Sequence, residues 1–124
     1  MPQEFYDVRR RQNFWTIAEH VDHLANVQPM LLERIKKFQQ EDSPHFVPYI
    51  PKDEDVKKDS GMVDIKYALK KFKSWRQKQI ELLKSMDRNT WKKSATHPEY
   101  QRYSLYILVR HMLMHDYWHM YRIE

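Results

Sequence analysis

A single glycine, Gly61, has to serve all 124 residues of this chain. Hairpin turns and Gly-rich phosphate loops need residues that tolerate positive φ. So few glycines disfavour a many-turned all-β fold and a phosphate-cradling loop. Helices carry no such demand, and their apolar periodicity runs through most of the sequence.

From Thr16 to about Gln40, Ile17, Val21, Leu24, Leu31, Ile35 and Phe38 recur at three-, four- and seven-residue steps and form one apolar stripe. Thr16 and Glu19 make a T-x-x-E capping box that marks the helix start. Pro29, inside this span, predicts a kink or a local break. Residues 41–61 follow, with Pro44, Pro48 and Pro51 opposing helix, and read as a long connection of the kind used for lids or binding loops. His45 in this stretch reads as solvated. A second helix is expected from about Val63 to Met86, with Ile65, Leu69, Phe72, Ile80 and Leu83 inward. Residues 87–103, His97 included, read as mostly loop around a short turn at Thr90–Lys93. Ser104 then caps a final helix that continues to the end of the sequence.

Three long helices and no convincing strand pair give an all-α bundle in one domain, residues 1–124. Only fourteen residues precede Trp15, enough for a short fourth helix or none. A partner subunit would cover the side left open, so a homodimer is expected.

Other classes are narrowed by composition. The chain has no cysteine, which excludes disulfides, Cys-based zinc sites and Cys nucleophiles. No segment reaches the eighteen or so apolar residues of a membrane span, so a soluble cytoplasmic protein is expected. The formal charge is +5, but 22 basic residues are interleaved with 17 acidic ones. The densest basic run, Lys70 to Lys78, fits the solvent face of a helix, and this argues against a nucleic-acid footprint.

The histidines carry the chemistry. In HMLMHDYWHMYRIE, residues 111–124, His111, His115 and His119 stand four apart. At about 100° per residue, Leu108, Met112, His115 and His119 fall within roughly 40° of one azimuth, whereas His111 lies about 60° off it, at the stripe's edge. On the first helix His23 shares an azimuth with Val27 and Met30, and His20 lies about 60° away, nearer the stripe's centre. The pattern alone does not choose between His20 and His23. Several inward neutral imidazoles each need a donor and an acceptor satisfied, and a divalent cation satisfies the acceptors together. One inward histidine would read as a hydrogen-bonded core residue; two at i, i+4 facing another on a second helix read as a metal site.

Two stretches resemble the DinB-like (DinB/YfiT-type) superfamily of small helical-bundle metalloproteins. WTIAEHVDHL, residues 15–24, resembles its tryptophan-led helix start, and RHMLMHDYWHMYRI, residues 110–123, resembles its closing helix with H-D-x-x-H. The resemblance implies a four-helix bundle with His23, His115 and His119 as ligands of a divalent metal, commonly nickel or zinc, and often a homodimer. It also implies an enzyme acting on a small molecule, either a hydrolase or an S-transferase using a low-molecular-weight thiol of the bacillithiol type. The chain departs from the family in its short N-terminal segment and in having Tyr121 and Arg122 where Gly-Gln is common.

Three histidine ligands leave coordination positions open, and the site is expected to open towards the 41–61 side. His20 and His111 flank the triad as candidate catalytic groups, whereas Asp116 projects about 100° from His115. The competing reading is a non-catalytic metal-binding structural or interaction module. Glu19, one turn before His23, would favour that module if it closed the coordination shell.

Overall fold

The structure is a computed structural model, and it describes residues 2–47 and 64–123. Most of the 41–61 connection therefore lies outside the described residues. In chain order come a 3₁₀ turn (Gln3–Phe5), α1 (Ile17–Asn26), α2 (Gln28–Gln40), α3 (Ile65–Lys84), α4 (Arg88–Lys92), β1 (Ala95–His97), β2 (Tyr100–Tyr103) and α5 (Leu105–Ile123). Among the described residues no helix is long and apolar enough to cross a membrane.

Helix α1 starts at the capping box. The Glu19 amide donates to Thr16 Oγ1 at 3.1 Å and the Thr16 amide donates to Glu19 Oε1 at 2.8 Å. The expected break falls at Val27, two residues before Pro29, which cannot donate to the Ala25 carbonyl and sits in the first turn of a new helix. Val27 itself stays in the right-handed helical region, at φ −82° and ψ −13°. The Gln28 side-chain amide donates to the Leu24 carbonyl at 2.7 Å beside the junction. The N-terminal segment supplies only its 3₁₀ turn. It is tied down where the Ala18 amide donates to the Tyr6 carbonyl and where Arg9 pairs with Glu19 at 2.8 Å.

Helices α3 and α5 both pack against the α1–α2 pair. The apolar core lies mainly between α2 and α5, where Leu31, Ile35 and Phe38 meet Leu105, Leu108 and Met112. Phe46 and Tyr103 close one end of it, stacked near Phe38 with ring centroids 5.1 and 6.1 Å away. Residues 95–103 are not the simple loop that the sequence suggests. They form a small antiparallel hairpin, pairing Ala95 with Tyr103 and His97 with Tyr100 across an irregular register. Its free edge is bridged by His45, which is exposed: the Phe46 amide donates to the Thr96 carbonyl and the Thr96 amide to the Pro44 carbonyl, both at 2.8 Å. The fold is thus the expected mostly helical bundle, to which this small two-stranded sheet is added.

Helix α3 is rotated from its expected face. Leu69 and Ile80 are 53% and 38% exposed, whereas Ala68 and Gln79 are buried. The cause is a polar contact that apolar periodicity cannot register. Gln79 donates to Gln28 Oε1 at 2.9 Å and to the Gln28 carbonyl at 3.1 Å, and both side chains are fully buried. Arg76 also turns inward instead of lying on the solvent face. Its Nε donates to Gln79 Oε1 at 3.0 Å and its Nη1 to Asp116 Oδ2 at 2.9 Å, linking α3 to α5 beside His115.

The other oxygen of Asp116 is buried without a protein partner among the described residues, so Arg76 is the group that compensates this carboxylate. Arg76→Met is expected to cost about 3–5 kcal/mol by leaving the charge unpaired. Adding Asp116→Leu should recover most of that loss. Urea titrations of the two variants check this, and equal destabilisation of both would contradict it.

Candidate metal centre

Helices α1 and α5 pack so that His23 faces the His115–His119 face of α5. His115 Nε2 lies 3.4 Å from His23 Nε2 and 3.2 Å from His119 Nε2, and one nitrogen of each of the three rings lies within 4.8 Å of the others. Two nitrogens bound tetrahedrally to one cation at about 2.0–2.1 Å would stand about 3.3 Å apart. The two spacings at His115 match that separation, and the third pair closes to within 4.8 Å. Protons alone satisfy the cluster poorly, because His115 Nε2 has one lone pair or one hydrogen to share between two neighbours. The donor set, three neutral imidazoles, therefore fits a divalent transition-metal ion.

His119 is 3% exposed and is held from behind. Its Nδ1 lies 2.8 Å from Nδ1 of His20, itself 4% exposed. With the lone pair of His119 on Nε2, its Nδ1–H donates to His20 and fixes both tautomer and ring orientation. The Trp15 ring covers this corner, with centroids 5.3, 5.0 and 5.7 Å from His20, His23 and His119. His20 and His23, which the sequence pattern could not separate, both reach His119, from different sides. Among the described residues no carboxylate joins the three rings. Glu19 is engaged by the capping box and Arg9, and Asp116 by Arg76.

A cavity of about 310 Å³ opens onto His23 and His115. Val27, Met30 and Leu31 of the α1–α2 pair form one wall, and Leu108 and Met112 of α5 form the other. Away from the histidine pair it is lined by Arg34 and by the hairpin residues His97, Tyr100 and Tyr103. His111 also lines it, exposed, with Nδ1 3.3 Å from the Tyr100 hydroxyl. A larger cavity, about 380 Å³, lies on the other side of Trp15 and reaches His20 but none of the three clustered rings. The smaller cavity is the one with access to the cluster. Sequence reasoning missed Arg34, Tyr100 and Tyr103, because the hairpin that gathers them has strands of three and four residues. Trp15 stood in the recognised motif, but its place over the rings had no separate signal.

Burial is the main reason that His119, His115 and His20 stay neutral. It lowers His119 to about 3, helped by repulsion from His115, His23 and His20. Burial also lowers His115, assisted by His111 and opposed by Asp116, and lowers His20, assisted by Arg122 and opposed by Glu19. Each of these groups binds its proton less readily folded than unfolded. Their contribution to stability is therefore intact above the unfolded value near 6.5 and is lost as pH falls towards the folded values.

In the presence of chelator, the urea midpoint should be flat above about pH 7 and should fall between about pH 6.5 and 5, before most carboxylates titrate. His119→Gln should flatten that slope. A midpoint independent of pH in this window would contradict the assignment of buried neutral rings.

Comparison with known proteins places the chain. The profile of the DinB superfamily matches residues 1–123. No curated protein matches. Among solved structures, YfiT from Bacillus subtilis superposes with a TM-score of 0.82 at 24% identity, over 99% of this chain and 71% of that one. YfiT is described as a probable metal-dependent hydrolase with an unusual four-helix bundle topology, and at this identity the likeness establishes the shared fold. With the family profile spanning nearly the whole sequence, the chain belongs to the DinB superfamily.

Proposed function

We propose that this protein is a divalent-metal-dependent enzyme acting on a small molecule, with the whole chain forming one metal-binding domain. His23, His115 and His119 hold the cation through Nε2. The observation that carries this reading is the convergence of those nitrogens at separations of 3.2 and 3.4 Å around His115. Nickel or zinc suits an all-imidazole set. When bound, the cation supplies a Lewis acid with coordination positions beyond its three protein ligands.

The chain's own residues have distinct tasks. His20 positions His119 through the Nδ1 contact. The apolar walls of the cavity, Val27, Leu31, Leu108 and Met112 among them, exclude water around a bound substrate. His111 is the group placed to accept a proton in that cavity. If its Nδ1–H donates to the Tyr100 oxygen, its Nε2 keeps a lone pair. Hydrolysis is favoured by the description of YfiT. Transfer to a low-molecular-weight thiol is the finer alternative implied by the sequence motifs. The reading of a non-catalytic structural ion would need a fourth protein ligand, and the engagement of Glu19 elsewhere weighs against it.

Purified protein is expected to carry about one divalent ion per chain by elemental analysis. His23→Ala, His115→Ala and His119→Ala should each lose it, while His45→Ala, remote and exposed, should retain it. Full occupancy in all three triad variants would overturn the site.

The protein is further proposed to act as a homodimer joined through α5. Tyr106, Leu113, Tyr117 and Met120 form a row along that helix, 64%, 48%, 67% and 54% exposed. Sedimentation at micromolar concentration should show a dimer, and Leu113→Glu with Tyr117→Glu should give a folded monomer. A monomeric parent protein would remove this assignment.

A further inference from the structure

The cavity beside the histidine cluster has two chemically different ends, and the second has no role in holding a cation. At the first stand His23 and His115, and the middle is apolar, with Val27, Leu31, Leu108 and Met112. At the other end the polar groups are mostly hydrogen-bond donors. Arg34 donates through Nη2 to the Val47 carbonyl at 2.7 Å, and its guanidinium lies beside the Tyr103 side chain and 5.7 Å from the centre of the Phe46 ring. The bond to Val47 uses only part of the five-donor fork. Among the described residues no carboxylate is paired with Arg34. His97 presents a further donor by necessity. Its Nδ1 accepts the Glu99 amide at 3.1 Å, so the proton of the neutral ring sits on Nε2. The opposing charge is Glu99, an exposed carboxylate on the hairpin turn.

We infer that this cavity takes an elongated carboxylate, its anionic group docked on Arg34 and His97 and its reactive group at the His23–His115 end. An apolar spacer of the substrate lies between. The inference rests on the proposal that the three histidines hold a cation. From His23 to Arg34 the chain advances about 16 Å if the helical rise is carried across Val27. Side chains reaching inwards from both ends shorten the span left for the ligand. A carboxylate fits the donor end better than a neutral group, because a guanidinium held by its neighbours offers paired, charge-assisted hydrogen bonds with little ordering left to do. Arg34 is thus a specificity-determining residue, and it takes no part in holding the metal.

The test uses binding rather than turnover. Suberic monohydroxamate carries a metal-binding group at one end and a carboxylate at the other, and its methyl ester is a neutral counterpart of nearly the same length. Calorimetric titration into zinc-loaded full-length protein should show the acid binding about tenfold more tightly than the ester. Arg34→Gln should abolish that preference while leaving the ester's affinity and the zinc content unchanged. Glu99→Gln should widen it. Equal affinity of acid and ester for the parent protein overturns the inference without any variant, while leaving the metal site standing. If the protein binds neither zinc nor nickel, the metal-site reading fails and the Arg34 assignment falls with it; if it holds zinc but binds neither probe, the Arg34 assignment alone is overturned.

Discussion

Four imidazoles share one corner between α1 and α5, and burial holds His20, His115 and His119 neutral there. His20 and His119 are almost fully buried, with their Nδ1 atoms in contact, while His23 and His115 complete the cluster from the cavity side. A buried imidazole needs both ring nitrogens satisfied, and four together leave few ways to arrange the hydrogens. The resulting order places His20 behind His119, turns the remaining nitrogens towards a common point, and lays Trp15 across the rings as a cover. The approach of α1 to α5 is set by this corner as much as by apolar packing.

The polar groups around the corner obey the same rule. Asp116 is adjacent in sequence to His115, but its charge is drawn away to Arg76 on α3. Glu19 is likewise occupied by the start of its own helix and by Arg9. Two nearby carboxylates are thereby engaged elsewhere, and among the described residues none joins the three rings. Arg76 in turn meets the fully buried Gln28–Gln79 pair, so one connected network joins the histidine corner to α2 and α3.

Residues on long amphipathic helices were the readable part of this sequence. His115 and His119 were placed inward by azimuth alone, and Thr16, Glu19 and Pro29 marked a helix start and a break that the structure contains. His20 and His23 resisted separation for a physical reason, since both point inward and both touch His119. Leu69 and Ile80 were misplaced because Gln79 and Gln28, polar by composition, occupy the helix interface through mutual hydrogen bonds. The hairpin of Ala95–Tyr103 was illegible because its strands are too short for an alternating pattern, and its edge is held by the distant segment around Pro44–Phe46. Arg34 became part of the site only once that hairpin was in position.

The junction at Val27 sets two helices end to end. N-terminal to it, α1 carries His20 and His23; C-terminal to it, α2 carries Leu31, Ile35 and Phe38, which anchor the core. Pro29 removes one backbone hydrogen bond across this junction, while the Val27 amide still donates to the His23 carbonyl and the Leu31 amide to the Val27 carbonyl. Changes in the first stretch therefore reach the second mainly through side chains, by way of Arg76 and the Gln28–Gln79 pair. Where the proline thins the backbone ladder, two neighbouring helices are left mechanically distinct parts of one axis, fastened to each other from outside by α3.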